Sequence, residues 1–211
     1  MQPGKFITLE GIEGVGKTTN LSFVAEYLKS AGIKVVQSRE PGGTRIAEKI
    51  RALLLDKDDE ALCDESELLL VFAARAQHIQ QVIRPALEAG NWVLCDRFTD
   101  ATFAYQGGGR NFPAARIEWL EAWIQQGLHP DLTLLLDVPV ELGLSRARNR
   151  AELDRFESEH VDFFRRVQLA YYQRAEQSPQ RFYTVDTSHP IEVVQSLLAK
   201  RLDQMLADDK P

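Results

Sequence analysis

Only two cysteines occur in the 211 residues, Cys63 and Cys95, far apart and without metal-ligand spacing. Neither a disulfide framework nor a cysteine metal site is therefore expected, and both thiols read as reduced. Long apolar runs are missing too. None approaches the roughly 20 residues that span a bilayer, so no membrane partner is expected. The opening stretch MQPGKFITLEG lacks an apolar signal-peptide core, which makes a cytoplasmic location the expectation. Nor is there an excess of positive charge, since 25 Lys and Arg face 31 Asp and Glu, giving a net charge of -6. A general nucleic-acid binder carries a basic surface, so no nucleic-acid partner is expected. Affinity for phosphate must then come from local basic clusters. Acidic residues concentrate in DKDDEALCDESE, 56–67, which reads as a solvated loop entering a helix. Repeats, low-complexity tracts and linkers are absent, and the length fits one sizeable α/β domain, 1–211.

What is present is an alternation of short apolar strands with longer helical patterns. The strands read as KFITLE (5–10), KVVQSR (34–39), NWVLCD (91–96), LTLLLD (132–137) and RFYTVD (181–186). Helical spacing falls near 17–31, 45–55, 65–89, 114–127, 140–177 and 190–207. Strands separated by helices predict parallel pairing with right-handed crossovers. LTLLLD is almost continuously apolar, as a strand buried on both faces should be. YQGGGRNFP and RARNRAELDR read as mobile inserts.

GIEGVGKTT, 11–19, follows the first strand and opens the first helix. Gly11, Gly14, Gly16, Lys17 and Thr18 fit the phosphate-loop pattern G-x-x-x-x-G-K-[ST]. Glycines let backbone N–H groups converge on phosphate oxygens, and the helix N-terminus adds favourable partial charge. Val15 and Thr19 complete the loop, Lys17 can reach the β/γ-phosphates, and Thr18 can ligate Mg²⁺. The expected ligand is a nucleoside triphosphate, ATP. No N-K-x-D base-reading motif accompanies the loop, so a Ras-like GTPase is not expected.

SREPGGT (38–44) and CDRFTDATFAYQGGGR (95–110) follow the second and third strands. Ligands of open α/β sheets bind at those strand ends. Arg39 is placed for an anion, while an ordinary turn with a surface arginine is the plainer alternative. Asp96 can hold Mg²⁺ or its water, and Arg97 can grip a second phosphate, although a buried Asp-Arg pair would use the same residues. In LLLVFAARAQH (68–78), Phe72 and Arg75 lie one turn apart on a shared face. They can stack on and hydrogen-bond a nucleobase, while core packing with a surface charge is the plainer alternative.

Together GIEGVGKTT, REPGGT, FAARAQH, DRFTDATFAYQGGGR and PDLTLLLDV resemble thymidylate kinase, in order and spacing, over essentially the whole chain. REPGGT with AYQGGGR is far narrower than the phosphate loop alone. The resemblance implies a phosphate-loop NTPase fold of the nucleoside monophosphate kinase type, with a five-stranded parallel sheet flanked by helices. It implies transfer of the γ-phosphoryl group of ATP to dTMP with Mg²⁺, in dTTP synthesis, by a homodimer. By this resemblance Phe72 stacks on thymine, Arg75 bonds a ring carbonyl and Thr102 lies near N3. Arg39 and Arg97 hold the acceptor phosphate, and Tyr105 and Gln106 line the sugar and base. Phe98 stands where many members have tyrosine or histidine. Glu13 is expected to point across the acceptor sugar rather than at the triphosphate.

Some thymidylate kinases carry an arginine in the phosphate loop, and this chain has none. SRARNRAELDRFE supplies Arg146, Arg148, Arg150 and Arg155 instead, resembling the bacterial arrangement with a lid at about 146–157. Arg150 and Arg155 are expected at the transferred phosphate, and Arg146 beside adenine, with DTSHP (186–190) closing the other wall. A solvated helix face is the alternative for so many arginines. A deoxynucleoside kinase would share fold and loop but not two arginines aimed at an acceptor phosphate. A nucleotide-dependent switch would share neither lid nor base pocket. The helices at 65–89 and 114–127 can supply a dimer surface, though core packing accounts for their apolar residues equally.

Overall fold

Strand β1 (Phe6–Glu10) is buried along its whole length, Glu10 included, as a strand covered on both faces must be. The computed structural model describes residues 4–57, 62–148, 155–156 and 159–208. β1 pairs in parallel with β3 (Trp92–Asp96) on one side and β4 (Leu132–Asp137) on the other. β2 (Val35–Arg39) and β5 (Phe182–Asp186) form the edges, giving the order β2-β3-β1-β4-β5. Each strand falls within one residue of its sequence expectation at either end.

Helices α1 (Lys17–Ser30), α2 (Arg45–Leu55), α3 (Asp64–His78) and α4 (Arg84–Glu88) follow, with a π-helical stretch at Ile79–Ile83 joining the last two. The expected helix at 65–89 is thus one run with a widened turn. α5 (Thr99–Thr102) continues into a second π-helical stretch, Phe103–Gly109. α6 (Ala114–Gln125), α7 (Val140–Arg148), α8 (Val161–Gln177) and α9 (Ile191–Asp208) complete the described helices.

The period-2 alternation of the strands sorts the core into two layers. Ile7, Leu9 and Leu94 face a cluster with Val24 and Leu28 of α1, Phe164 and Val167 of α8, and Leu198 of α9. Phe6, Val93 and Cys95 face the other way, against Ile79, Ile83 and Phe98. Among the described residues, no helix is long and apolar enough to cross a membrane.

Two sequence expectations need correction. YQGGGRNFP is not a mobile insert: Tyr105–Gly109 are helical, and the Arg110 amide closes onto the Tyr105 carbonyl at 2.9 Å. The glycines serve close approach rather than flexibility. A Cβ on Gly108 would lie 2.7 Å from the Ala170 Cβ, and one on Gly109 would enter the Phe163 ring. The 140–177 pattern is not one helix either. Arg165 Nη2 lies 2.6 Å from Glu141 Oε1, 24 residues earlier, whereas a continuous helix would hold them about 36 Å apart. RARNRAELDR splits accordingly: its first residues end α7, and 149–154 lie outside the described residues.

The register places Glu10, Arg39, Asp96 and Asp137 together at the carboxyl edge of the sheet. The chain leaves β1 toward β2 on one side and leaves β3 toward β4 on the other, so β1 and β3 flank the switch point where such sheets bind ligands.

Candidate active site

At that edge lies a crevice of about 1020 Å³, its mouth included. The phosphate loop forms one end. Gly16 caps α1 in the left-handed region, at φ 87. A side chain on Gly14, at φ 75, would overlap the Gly143 carbonyl of α7. Lys17 Nζ donates to the Gly11 and Ile12 carbonyls at 3.0 and 2.8 Å. Burial, then the nearby Arg97 charge, pulls its ammonium down to about 8. Thr18 lines the crevice, and Thr19 is exposed beside it. Val15 is 1% exposed and belongs to the core, while Gly11 is buried beneath the loop.

The middle of the crevice is built on the β3 end. Arg97 has φ 67, a left-handed conformation that is uncommon for a residue with a Cβ. Its guanidinium reaches Glu13 Oε1 at 2.8 Å and the Tyr171 hydroxyl at 3.3 Å, and lies 4.6 Å over the Tyr105 ring. The Tyr105 hydroxyl donates to the Glu13 carboxylate at 2.7 Å. Glu13 is thus directed across the crevice toward Arg97 and Tyr105. Asp96 lines the same wall, and its Oδ1 is buried with no hydrogen-bond partner.

The far end is set by α3. Arg75 is 1% exposed and fixed on three sides. Its Nε donates to Glu40 Oε2 at 2.7 Å, and its Nη2 donates to the Phe98 carbonyl at 3.1 Å and Thr102 Oγ1 at 2.9 Å. Its Nη1 is buried and unpartnered, on a residue that lines the crevice. Burial raises the Glu40 carboxyl, but Arg75 and His78 outweigh it and hold the group below the usual carboxylate range. Gln106 lines the crevice and donates to Glu67 at 2.7 Å.

Beyond the phosphate loop, four expected residues among those described stand apart from this lining. Arg39 is half exposed and turned onto Glu48 of α2, at 2.7 Å. Phe72 is 2% exposed, packed with Leu68, Phe103, Ile117 and Leu120 directly behind the Arg75 guanidinium. Arg155 donates to the Leu54 carbonyl at 2.9 Å and to Glu67 at 2.7 Å, at the α2–α3 side rather than at the phosphate loop. Arg146 donates to the Thr187 carbonyl at 3.0 Å, which joins α7 to the 186–190 turn. Arg150 lies outside the described residues, as does most of the 146–157 segment.

The sequence reading missed Arg51, Glu40, Val71 and Phe156, all of which line the crevice. Arg51 donates to the Pro41 carbonyl at 3.0 Å, and burial, then the charge of Arg39, lowers its pKa. Its only signal was a basic residue within an amphipathic helix, which is commonplace. Glu40 could have been found, because a carboxylate flanked by Arg39 and Pro41 at a strand end has few solvated places to go.

The profile of the thymidylate kinase family matches residues 9–198. The chain is 56% identical to the thymidylate kinase of Alcanivorax borkumensis, covering 97% of this chain and 98% of that one. It is 57% identical to that of Chromohalobacter salexigens, over 98% and 99%. The crystal structure of thymidylate kinase from Ehrlichia chaffeensis superposes with a TM-score of 0.79 at 34% identity, over 95% of this chain and all of that one.

Proposed function

The chain belongs to the thymidylate kinase family, and from that premise we propose how its crevice carries the reaction. The enzyme transfers the γ-phosphoryl group of ATP to dTMP, giving dTDP and ADP. ATP occupies the phosphate-loop end and dTMP the Arg75 end. The observation that carries this orientation is Arg75 Nη1, a buried donor without an acceptor, on a residue that lines the crevice. A thymine carbonyl supplies that acceptor, with the Thr102 hydroxyl beside it. Phe72 backs the guanidinium plane, 4.8 Å behind it.

Arg97 holds the acceptor phosphate between the two ends, and Arg51 and Arg39 contribute positive charge on the α2 side. Phosphoryl transfer rests on positioning and charge stabilisation more than on covalent chemistry. An oxygen of the acceptor phosphate, already largely deprotonated at neutral pH, attacks in line. No side-chain base is needed. Lys17 and Arg97 stabilise the charge that spreads over the transferred group, with lid arginines Arg150 and Arg155 completing the shell on closure. Closure excludes the water that would otherwise consume ATP. Arg146 and the 186–190 turn border adenine.

The residues fit a magnesium ion. Asp96 Oδ1 is an orphaned buried acceptor in the wall shared with Thr18. Among the described residues no group of three or more His, Cys, Asp or Glu is arranged to hold a metal ion. Asp96 and Thr18 would hold such an ion, whose remaining oxygens would come from phosphate and water. It would neutralise charge on the β- and γ-oxygens.

Trp119 and Trp123 on α6 are 64% and 61% exposed, and Leu69 on α3 is 58% exposed. This apolar face is the surface by which a second copy docks to form a homodimer. The enzyme acts in the cytoplasm as a single domain with a lid over the nucleotide.

The test follows ADP release with each added acceptor, then repeats it with Lys17→Ala. Release that requires dTMP, and that collapses in the variant while calorimetric dTMP affinity is kept, supports the two-ended arrangement. A variant with intact turnover removes it.

A further inference from the structure

Glu10 is a fully buried carboxyl group at the end of β1, pushed up to about 8 by that burial, and the reaction above does not use it. Its two oxygens serve different partners. Oε1 accepts from the Phe98 amide at 2.7 Å. Oε2 accepts from the Tyr171 hydroxyl at 2.8 Å. Both partners lead to Arg97. Phe98 is the next residue in the chain, and Tyr171 Oη receives Arg97 Nη1 at 3.3 Å.

Arg97 needs such support. Its backbone sits at φ 67, where a Cβ crowds the following carbonyl. Such conformations persist only where the surroundings over-determine them. The Arg97 amide is held by the Leu9 carbonyl at 2.9 Å, one residue before Glu10. The Phe98 amide is held by the Glu10 side chain. The two residues at the end of β1 therefore grip the backbone on both sides of the Arg97 α-carbon, and Tyr171 of α8 meets the guanidinium.

We propose that Glu10 is a positioning residue for the acceptor phosphate, holding Arg97 in its left-handed conformation through the Phe98 amide and aiming its guanidinium through Tyr171. Glu10 touches no substrate and acts only through Arg97. Sequence offers a plain reason why this role is hidden: in FITLEG the glutamate looks like a strand end before the loop, and its partners lie 88 and 161 residues away.

The inference rests on the reading that Arg97 holds the acceptor phosphate, and the experiment separates the two. Calorimetry gives Kd for dTMP and for thymidine, which lacks the phosphate, in the full-length protein and in Glu10→Gln, Tyr171→Phe and Arg97→Ala. Glu10→Gln and Tyr171→Phe are each expected to weaken dTMP by about ten-fold, the upper end for one net intramolecular hydrogen bond, and to leave thymidine unchanged. A merely structural role would weaken both ligands alike. That outcome, or unchanged dTMP affinity in both variants, overturns the proposal. Should Glu10→Gln fail to fold, Tyr171→Phe decides by the same criterion. If Arg97→Ala itself spares the difference between dTMP and thymidine, the acceptor-phosphate reading falls and takes this one with it. If Arg97→Ala abolishes the difference and the other two variants do not, only the Glu10 role is lost.

Discussion

Glu13 and Arg97, 84 residues apart, meet across the crevice at 2.8 Å, with side chains only 10% and 17% exposed. A carboxylate within the phosphate loop is thereby turned across the crevice onto Arg97 and Tyr105, which under the proposed orientation is the acceptor side. In the proposed arrangement it would accept from the 3′-hydroxyl of the sugar. Glu13→Ala is expected to narrow the preference for dTMP over its 3′-deoxy analogue by about ten-fold, one charge-assisted hydrogen bond. The ratio of kcat/KM for the two acceptors reads this. An unchanged ratio removes Glu13 from sugar recognition.

Tyr105 presents two features that substitution can separate. Its ring is 6% exposed and lies beneath Arg97, and its hydroxyl is bonded to Glu13. If the ring excludes a 2′-hydroxyl by bulk, Tyr105→Phe keeps the preference for the deoxyribose acceptor and Tyr105→Ala loses it. Competition between dTMP and its ribose counterpart, measured in all three proteins, distinguishes bulk from hydroxyl. Equal preference throughout would mean that Tyr105 does not read the sugar.

Lys17 carries a pH signature. In the free site, burial with the neighbouring Arg97 brings its pKa to about 8, below the ordinary lysine value. Bound triphosphate favours the charged form and raises it again. Binding of ATP should therefore take up a proton between about pH 8 and the usual lysine range near 10.4, and take up none through Lys17 below pH 7. Calorimetry in buffers of different ionisation enthalpy counts that proton. The uptake should vanish in Lys17→Met. Its persistence there would assign it to another group.

Phe72 is expected to matter twice. It is a core ring behind Arg75, so Phe72→Ala should cost about 3–5 kcal/mol of stability, as large-to-small core changes do. The variant should also raise the KM for dTMP, because Arg75 loses the plane on which it rests. Thermal unfolding without ligand measures the first effect and steady-state kinetics the second. A stable variant with unchanged KM would contradict both.

The phosphate loop needed only local information. Gly11, Gly14, Gly16, Lys17 and Thr18 all fall within the single stretch 11–18, and their roles follow from backbone conformation and the start of α1. The five strands and most helices were equally legible, because period-2 and period-3.6 patterns report burial directly. The Thr44 cap of α2 is equally local, its hydroxyl oxygen accepting from the Ala47 amide three residues on. Side-chain direction and long-range partners were another matter. Nothing local says that Arg39 turns to Glu48 while Arg51 lines the crevice. Nor does a glycine run announce helix, since its composition is that of a loop. Only packing of α8 against Gly108 and Gly109 makes small residues a requirement for close approach. The left-handed Arg97, the Glu10 carboxyl group behind it and the Arg155 contact with Glu67 all join residues remote in the chain. Pattern determines which face of an element is buried; what that face meets is decided when strands and helices from distant parts of the chain are brought into register.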